Sequence, residues 1–193
     1  MARKPRSESA SGLYHFITRG VNKKKLFHKD KDYEFYRTLL NEYCEKLGIL
    51  IHHYCFMSNH THLVVKADTL KALADFGHFT HRRYAYYYCK TYHWPGQVFR
   101  RNFLSIPMGE DAYLLECGRY IERNPLDANL VKLLEDYPHS SYFFYARGKK
   151  DSLITESPLY SSLGQNNQER MVAYRFYVNH ERPQEIEKLT IPF

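Results

Sequence analysis

The sequence predicts an α+β fold: a ferredoxin-like (split βαβ) antiparallel sheet with helices packed on one face. Segments rich in β-branched and aromatic residues alternate with segments of helical periodicity, in the order strand, helix, hairpin, helix, strand, helix. Two of the strand-like segments meet across the dipeptide Ser58-Asn59, which reads as a tight turn and makes them an antiparallel hairpin. No internal repeat or low-complexity run breaks the pattern, so the 193 residues fit one domain with an appendage. Such a sheet leaves its other face open for a ligand.

The elements follow in order. Residues 1–11 are polar, charged and small, and are expected to form a mobile tail. LYHFITRG alternates as a first strand and is stopped by Gly20. A basic turn, VNKKKLFHKD, leads to a helix that places Tyr33, Tyr36, Leu39, Leu40, Tyr43 and Leu47 on one side; Asp30 or Asp32 caps it and Gly48 ends it. ILIHHYCFM and HTHLVVKA form the hairpin. A long helix starts after the cap Thr69 and runs on despite Gly77, until WPG breaks the chain. QVFRRNFLSIPM holds the fourth strand. GEDAYLLECGRYIERN is a further helix, expected to stop before Pro125. A shorter, turn-rich stretch runs to Gly148. The extension 149–193 is polar, with QERMVAYRFYVNH as a small terminal helix and no assignable role.

The formal net charge of +7 favours an anionic partner, nucleic acid before an anionic membrane. The aromatic content is unusual: 18 Tyr and 12 Phe against one Trp. Cys44, Cys55, Cys89 and Cys117 lack CxxC spacing, which argues against a zinc ribbon and for thiols in a reducing compartment. The start carries no apolar core of a secretory signal, and no run is long enough to span a membrane, so a cytoplasmic protein is expected.

Two patterns carry chemistry. His60 and His62 are separated by one residue, so on a strand their imidazoles share a face while Thr61, Leu63 and Val65 face the other way. Two neutral imidazoles at that spacing can hold a divalent ion with a third ligand from elsewhere, or can simply hydrogen-bond on a partly buried strand. A phosphodiesterase with two His-apolar-Ser/Thr motifs does not fit, because His60 is followed by Thr61 and then His62. In RYIERNP, Tyr120 and Asn124 stand four apart, on one face of a helix. A phenol can attack phosphorus where a cation polarises the phosphate, and a carboxamide oxygen can ligate that cation. A core aromatic and an ordinary helix terminator give the same spacing.

YCFMSNHTHLVV, then RYIERNPLDANLV and YPHSSY, in this order, resemble the single-tyrosine transposases of the HUH nuclease superfamily, and most of all the REP-associated tyrosine transposases within the IS200-like group. The resemblance covers residues 13–148, so a nuclease domain over 12–148 is implied. It implies a metal-dependent, single-stranded DNA endonuclease and strand-transferase. Tyr120 would be the nucleophile that forms a 5′-phosphotyrosine, and His60 and His62 would be ligands to Mg²⁺ or Mn²⁺, with Asn124 as the third. Relatives more often carry Gln where Asn124 stands, an apolar residue where Thr61 stands, and Trp-Gln-Gly-Arg-Phe where GQVFRRNF stands. The implied partner is single-stranded or hairpin DNA, and a homodimer is among the assemblies the family allows. Neighbouring readings are a replication-initiator-type HUH nuclease and a DNA-binding protein of the same fold without catalysis.

Candidate DNA contacts follow from charge interleaved with aromatics: Arg19, Lys23, Lys24, Lys25, Arg82, Arg83, Arg100 and Arg101. Most tyrosines of HRRYAYYYCK stand at helical spacing and are expected to pack rather than stack on bases.

Overall fold

The computed structural model describes residues 7–100, 103–109 and 112–180. Four strands, β1 (Leu13–Arg19), β2 (Leu50–Met57), β3 (His60–Lys66) and β4 (Leu104–Pro107), form one antiparallel sheet in the order β2-β3-β1-β4. Helix α1 (Asp30–Leu47) links β1 to β2, and α2 (Leu70–Tyr92) links β3 to β4. Each of these connections skips the neighbouring strand, which is the split βαβ arrangement expected.

The two sheet faces have different covers. Phe16, Phe56, Leu63 and Val65 pack against Tyr36, Leu40, Phe76 and Tyr84 of α1 and α2. On the opposite face Leu13, Cys55, Met57 and Val64 pack against Leu114, Cys117 and Ile121. Those three belong to α3 (Ala112–Asp127), so helices cover both faces rather than one. The reason lies in β2, where Tyr54 and Phe56 on one side and Cys55 and Met57 on the other all need burial. Two further helices, α4 (Tyr142–Arg147) and α5 (Asn167–Asn179), build a third cluster of Tyr142, Tyr145, Tyr160, Tyr174 and Val178 beside α3.

Three boundaries differ from expectation. The tail is tied down from Ser9: the hydroxyls of Ser9 and Ser11 donate to the Met108 carbonyl at 2.7 and 2.8 Å. The N-cap of α1 is Lys29; Asp32 works one turn inside, its Oδ2 accepting from the amides of His28 and Lys29 and from Tyr92. Helix α3 runs through Pro125 to Asp127. A proline has no N–H for the carbonyl four residues back. Here Asn124 Nδ2 donates to that carbonyl, Ile121 O, at 3.1 Å, and to Tyr120 O at 2.8 Å. The side chain supplies the donor the ring lacks, and the helix continues.

Candidate active site

The β1–β3 register sets Ile17 opposite His62 and Arg19 opposite His60. Alternation then puts His15, Arg19, His60 and His62 on the α3 side of the sheet, where His15 and His62 are buried and Arg19 and His60 partly exposed. Thr61 is buried on the other side, as strand periodicity expected.

The two imidazoles stand 5.0 Å apart between ring centres, edge to face. His60 Nδ1–H donates to Asn59 Oδ1 at 2.6 Å, which leaves the lone pair on Nε2. His62 Nδ1 is 2.9 Å from Nε2 of His15, a buried residue of β1. Burial, with the Arg19 charge beside it, lowers His60 to about 4. Burial also holds His62 well below the usual histidine range, with the neighbouring His15, His60 and Arg19 acting in the same sense. Both rings are therefore neutral at pH 7, the form that binds cations.

Tyr120 projects from α3 into this corner. Its half-buried ring lies 6.1 Å from the His62 ring and 6.0 Å from the His15 ring, centre to centre, edge-on to both. Burial raises its phenol above the usual value; Cys117 and Asp127 add to that and Arg19 opposes it. His60, His62, Tyr120 and Asn124 line one cleft of about 450 Å³, together with Arg19, Lys23, Asn59 and Arg100. Gly20 completes it: a Cβ there would stand 2.1 Å from the Lys24 carbonyl oxygen, so the basic turn can fold this tightly only over glycine.

Among the described residues no group of three or more His, Cys, Asp or Glu is arranged to hold a metal ion. The groups in the cleft that could hold a cation are the two imidazoles and the Asn124 carboxamide. Asn124 Nδ2 is engaged with the backbone, which leaves Oδ1 as the acceptor. Three neutral donors with open positions suit a cation that keeps water or phosphate oxygens in its shell.

The basic residues divide. Arg19, Lys23 and Arg100 line the cleft. Lys24 lies over the Trp94 ring, its Nζ 3.4 Å from the centre, and Lys25 is exposed on the same turn. Arg82 and Arg83 are on α2, across the sheet from the histidines; Arg83 pairs with Glu42 at 3.4 Å, and Arg82 borders a separate cavity. Arg101 lies outside the described residues. Of the tyrosines on α2, Tyr84 and Tyr88 are buried and Tyr87 donates to Asp32, while Tyr86 is exposed. His15 and Asn59, which orient the histidine pair, were not singled out from the sequence; the alternation of YHF was the one available signal for His15.

Comparison with known proteins now bears on this site. No curated protein matches the sequence. The structure of a REP-associated tyrosine transposase bound to a REP hairpin is similar, with a TM-score of 0.64 at 15% identity, over 80% of this chain and 92% of that one. A proposed transposase from Deinococcus radiodurans R1 has a TM-score of 0.43 at 17% identity, over 63% of this chain and 97% of that one. The family profile described as "Transposase IS200 like" matches residues 9–124, a span that contains every residue lining the cleft. The chain belongs to the IS200-like transposase family.

Proposed function

We propose that this protein cleaves and rejoins single-stranded DNA at hairpin sequences through a covalent bond to Tyr120. The observation that carries the reading is the convergence of Tyr120, His60, His62 and Asn124 on one cleft bordered by Arg19, Lys23 and Arg100. The Tyr120 oxygen forms a bond to phosphorus, and the bond from phosphorus to the 3′-oxygen breaks. The phenol gives up its proton, the leaving oxygen gains one, and the products are a 5′-phosphotyrosine and a free 3′-OH. Attack by a DNA 3′-OH on that ester reverses the sequence and joins strands. The ester keeps the bond energy, so no nucleotide is consumed.

Phosphoryl exchange of this kind depends on positioning and charge neutralisation. The cations at the cleft rim hold the DNA backbone. His60 Nε2, His62 and Asn124 Oδ1 are the atoms that would hold Mg²⁺ or Mn²⁺, which supplies Lewis-acid polarisation of the scissile phosphate when bound. Imidazole is a softer ligand than Mg²⁺ prefers, so Mn²⁺ should serve at least as well. The similar structure was bound to a REP hairpin, which makes a DNA hairpin with a single-stranded flank the first substrate to try.

The test is incubation with end-labelled hairpin DNA and Mn²⁺, followed by denaturing electrophoresis. A denaturation-resistant adduct is expected in the wild type and in Tyr86→Phe, and none in Tyr120→Phe. An adduct that persists in Tyr120→Phe, or DNA binding without any adduct across hairpin substrates, overturns the proposal; the second result indicates a DNA-binding protein of the same fold.

A further inference from the structure

Two positions along from Tyr120, and so on another side of α3, sits a buried carboxylate that the cleft does not use. Glu122 is 1% exposed, and its partners His53, Ser141 and Tyr174 are fully buried. Its Oε1 accepts from Ser141 Oγ at 2.5 Å and lies 3.2 Å from His53 Nδ1; its Oε2 accepts from the Tyr174 hydroxyl at 2.9 Å. One side chain of α3 is thereby joined to β2, to the residue preceding α4, and to α5. One turn earlier Gly118 meets the same histidine: a Cβ there would lie 2.6 Å from the His53 ring, so α3 lies against β2 more closely than any other residue would allow.

The outer side of α3 is fixed to α5 as well. Arg119 Nε donates to Tyr177 O at 3.0 Å and its guanidinium also reaches His180 O, while Arg123 donates to Val178 O at 3.0 Å. Tyr177 donates in return to Glu116. The arginines thus satisfy carbonyls at the α5 C-terminus, where positive charge is favoured.

We propose that Glu122 is a positioning residue for Tyr120: its three bonds, with the α5 contacts, fix the rotation and height of α3 over the His60–His62 pair. This rests on Tyr120 being the nucleophile. Adhesion between α3 and its neighbours does not require a carboxylate, since an apolar side chain in such a place is commonly as stabilising. What a carboxylate with three fixed donors adds is a single register. The extension beyond residue 149, which the sequence left without a role, then acts through α5 as part of the frame that aims the phenol.

Glu122→Gln keeps the shape and turns one acceptor into a donor that faces a hydroxyl or an imidazole. Tyr174→Phe removes one donor and keeps the ring, and serves where the first variant folds poorly. Both are measured for single-turnover adduct formation at saturating hairpin DNA with Mn²⁺, for DNA affinity, for melting, and for hydrogen exchange of α3 amides without DNA. The expected result is adduct formation slowed about 10- to 100-fold, with DNA affinity held within about twofold and faster exchange confined to α3 and α5. A rate that falls only in proportion to the folded fraction, or unchanged exchange of α3 in both variants, overturns the positioning role. A wild-type protein that forms no adduct overturns the nucleophile assignment, and with it the catalytic meaning of the frame, whatever exchange shows.

Discussion

His15 stands behind His62 at 2.9 Å and beside Tyr120, so one buried imidazole touches both halves of the candidate chemistry. Residues that orient a metal-binding histidine through its second nitrogen commonly matter by about 10- to 100-fold in metal affinity or activity. His15→Phe keeps an aromatic ring in place and removes the bond to His62. It is expected to need about 10- to 100-fold more Mn²⁺ for half-maximal adduct formation, read from a Mn²⁺ titration. An unchanged titration curve would show that His62 is held by packing alone. His60, His62, Tyr120 and Asn124 could be singled out as candidates because each pair is a local spacing, two on a strand and four on a helix, and the family resemblance gave them their proposed roles. His15 was not, because its partnership depends on β1 lying beside β3 with Ile17 opposite His62. No local pattern states which strand will be a neighbour or in what register.

Helix α3 carries two demands on one side chain. Asn124 lines the cleft while its nitrogen serves the carbonyl that Pro125 leaves without a donor. Pro125 read as a stop because the ring removes a hydrogen bond; the rescue by the preceding carboxamide is a side-chain geometry that propensity rules do not contain. The two roles separate experimentally. Asn124→Ala is expected to lose about 1 kcal/mol of stability, measured by denaturant unfolding, and also to lose adduct formation. Asn124→Ala with Pro125→Ala restores a backbone N–H for Ile121 O. This double variant is expected to regain stability and remain deficient in the adduct. Recovery of both would reduce Asn124 to a helix-stabilising residue and remove it from the ligand set. The long helices α1 and α2 were legible from apolar periodicity; the passage of α3 onto the opposite face was not. That face is apolar through Leu13, Cys55, Met57 and Val64, residues whose alternation is hidden because both sides of β2 are apolar.

At the scale of the molecule, strand and helix order was enough to anticipate the sheet, whereas the docking of α5 was not, because Arg119 and Arg123 reach backbone carbonyls and such bonds leave no sequence signature. Composition hides a second whole-molecule property. Several of the 11 histidines are buried in the folded chain rather than spread over a basic surface. His81, which is only partly exposed, is informative because it lies across the sheet from the candidate site. Its Nε2 is 2.8 Å from Thr18 Oγ1 and its ring stacks on Phe99 at 4.1 Å. Burial, with a contribution from the nearby His78, lowers it to about 3. The unfolded chain takes up that proton near the ordinary histidine value of about 6.5, and the folded chain refuses it until the solution is far more acid. Stability from this group is therefore complete above that value and declines as pH falls towards the folded pKa, by at most about 1.4 kcal/mol per pH unit. Burial moves His15 and His60 in the same direction, both to about 4, so the losses add. Unfolding free energies measured by urea titration at about pH 7.5, 6 and 5 are expected to fall steeply, and His81→Phe, which keeps the stacked ring, to fall by about 1 kcal/mol less per pH unit. A variant with the wild-type slope would mean that His81 already accepts its proton in the folded protein, and that its bond to Thr18 breaks before the fold does.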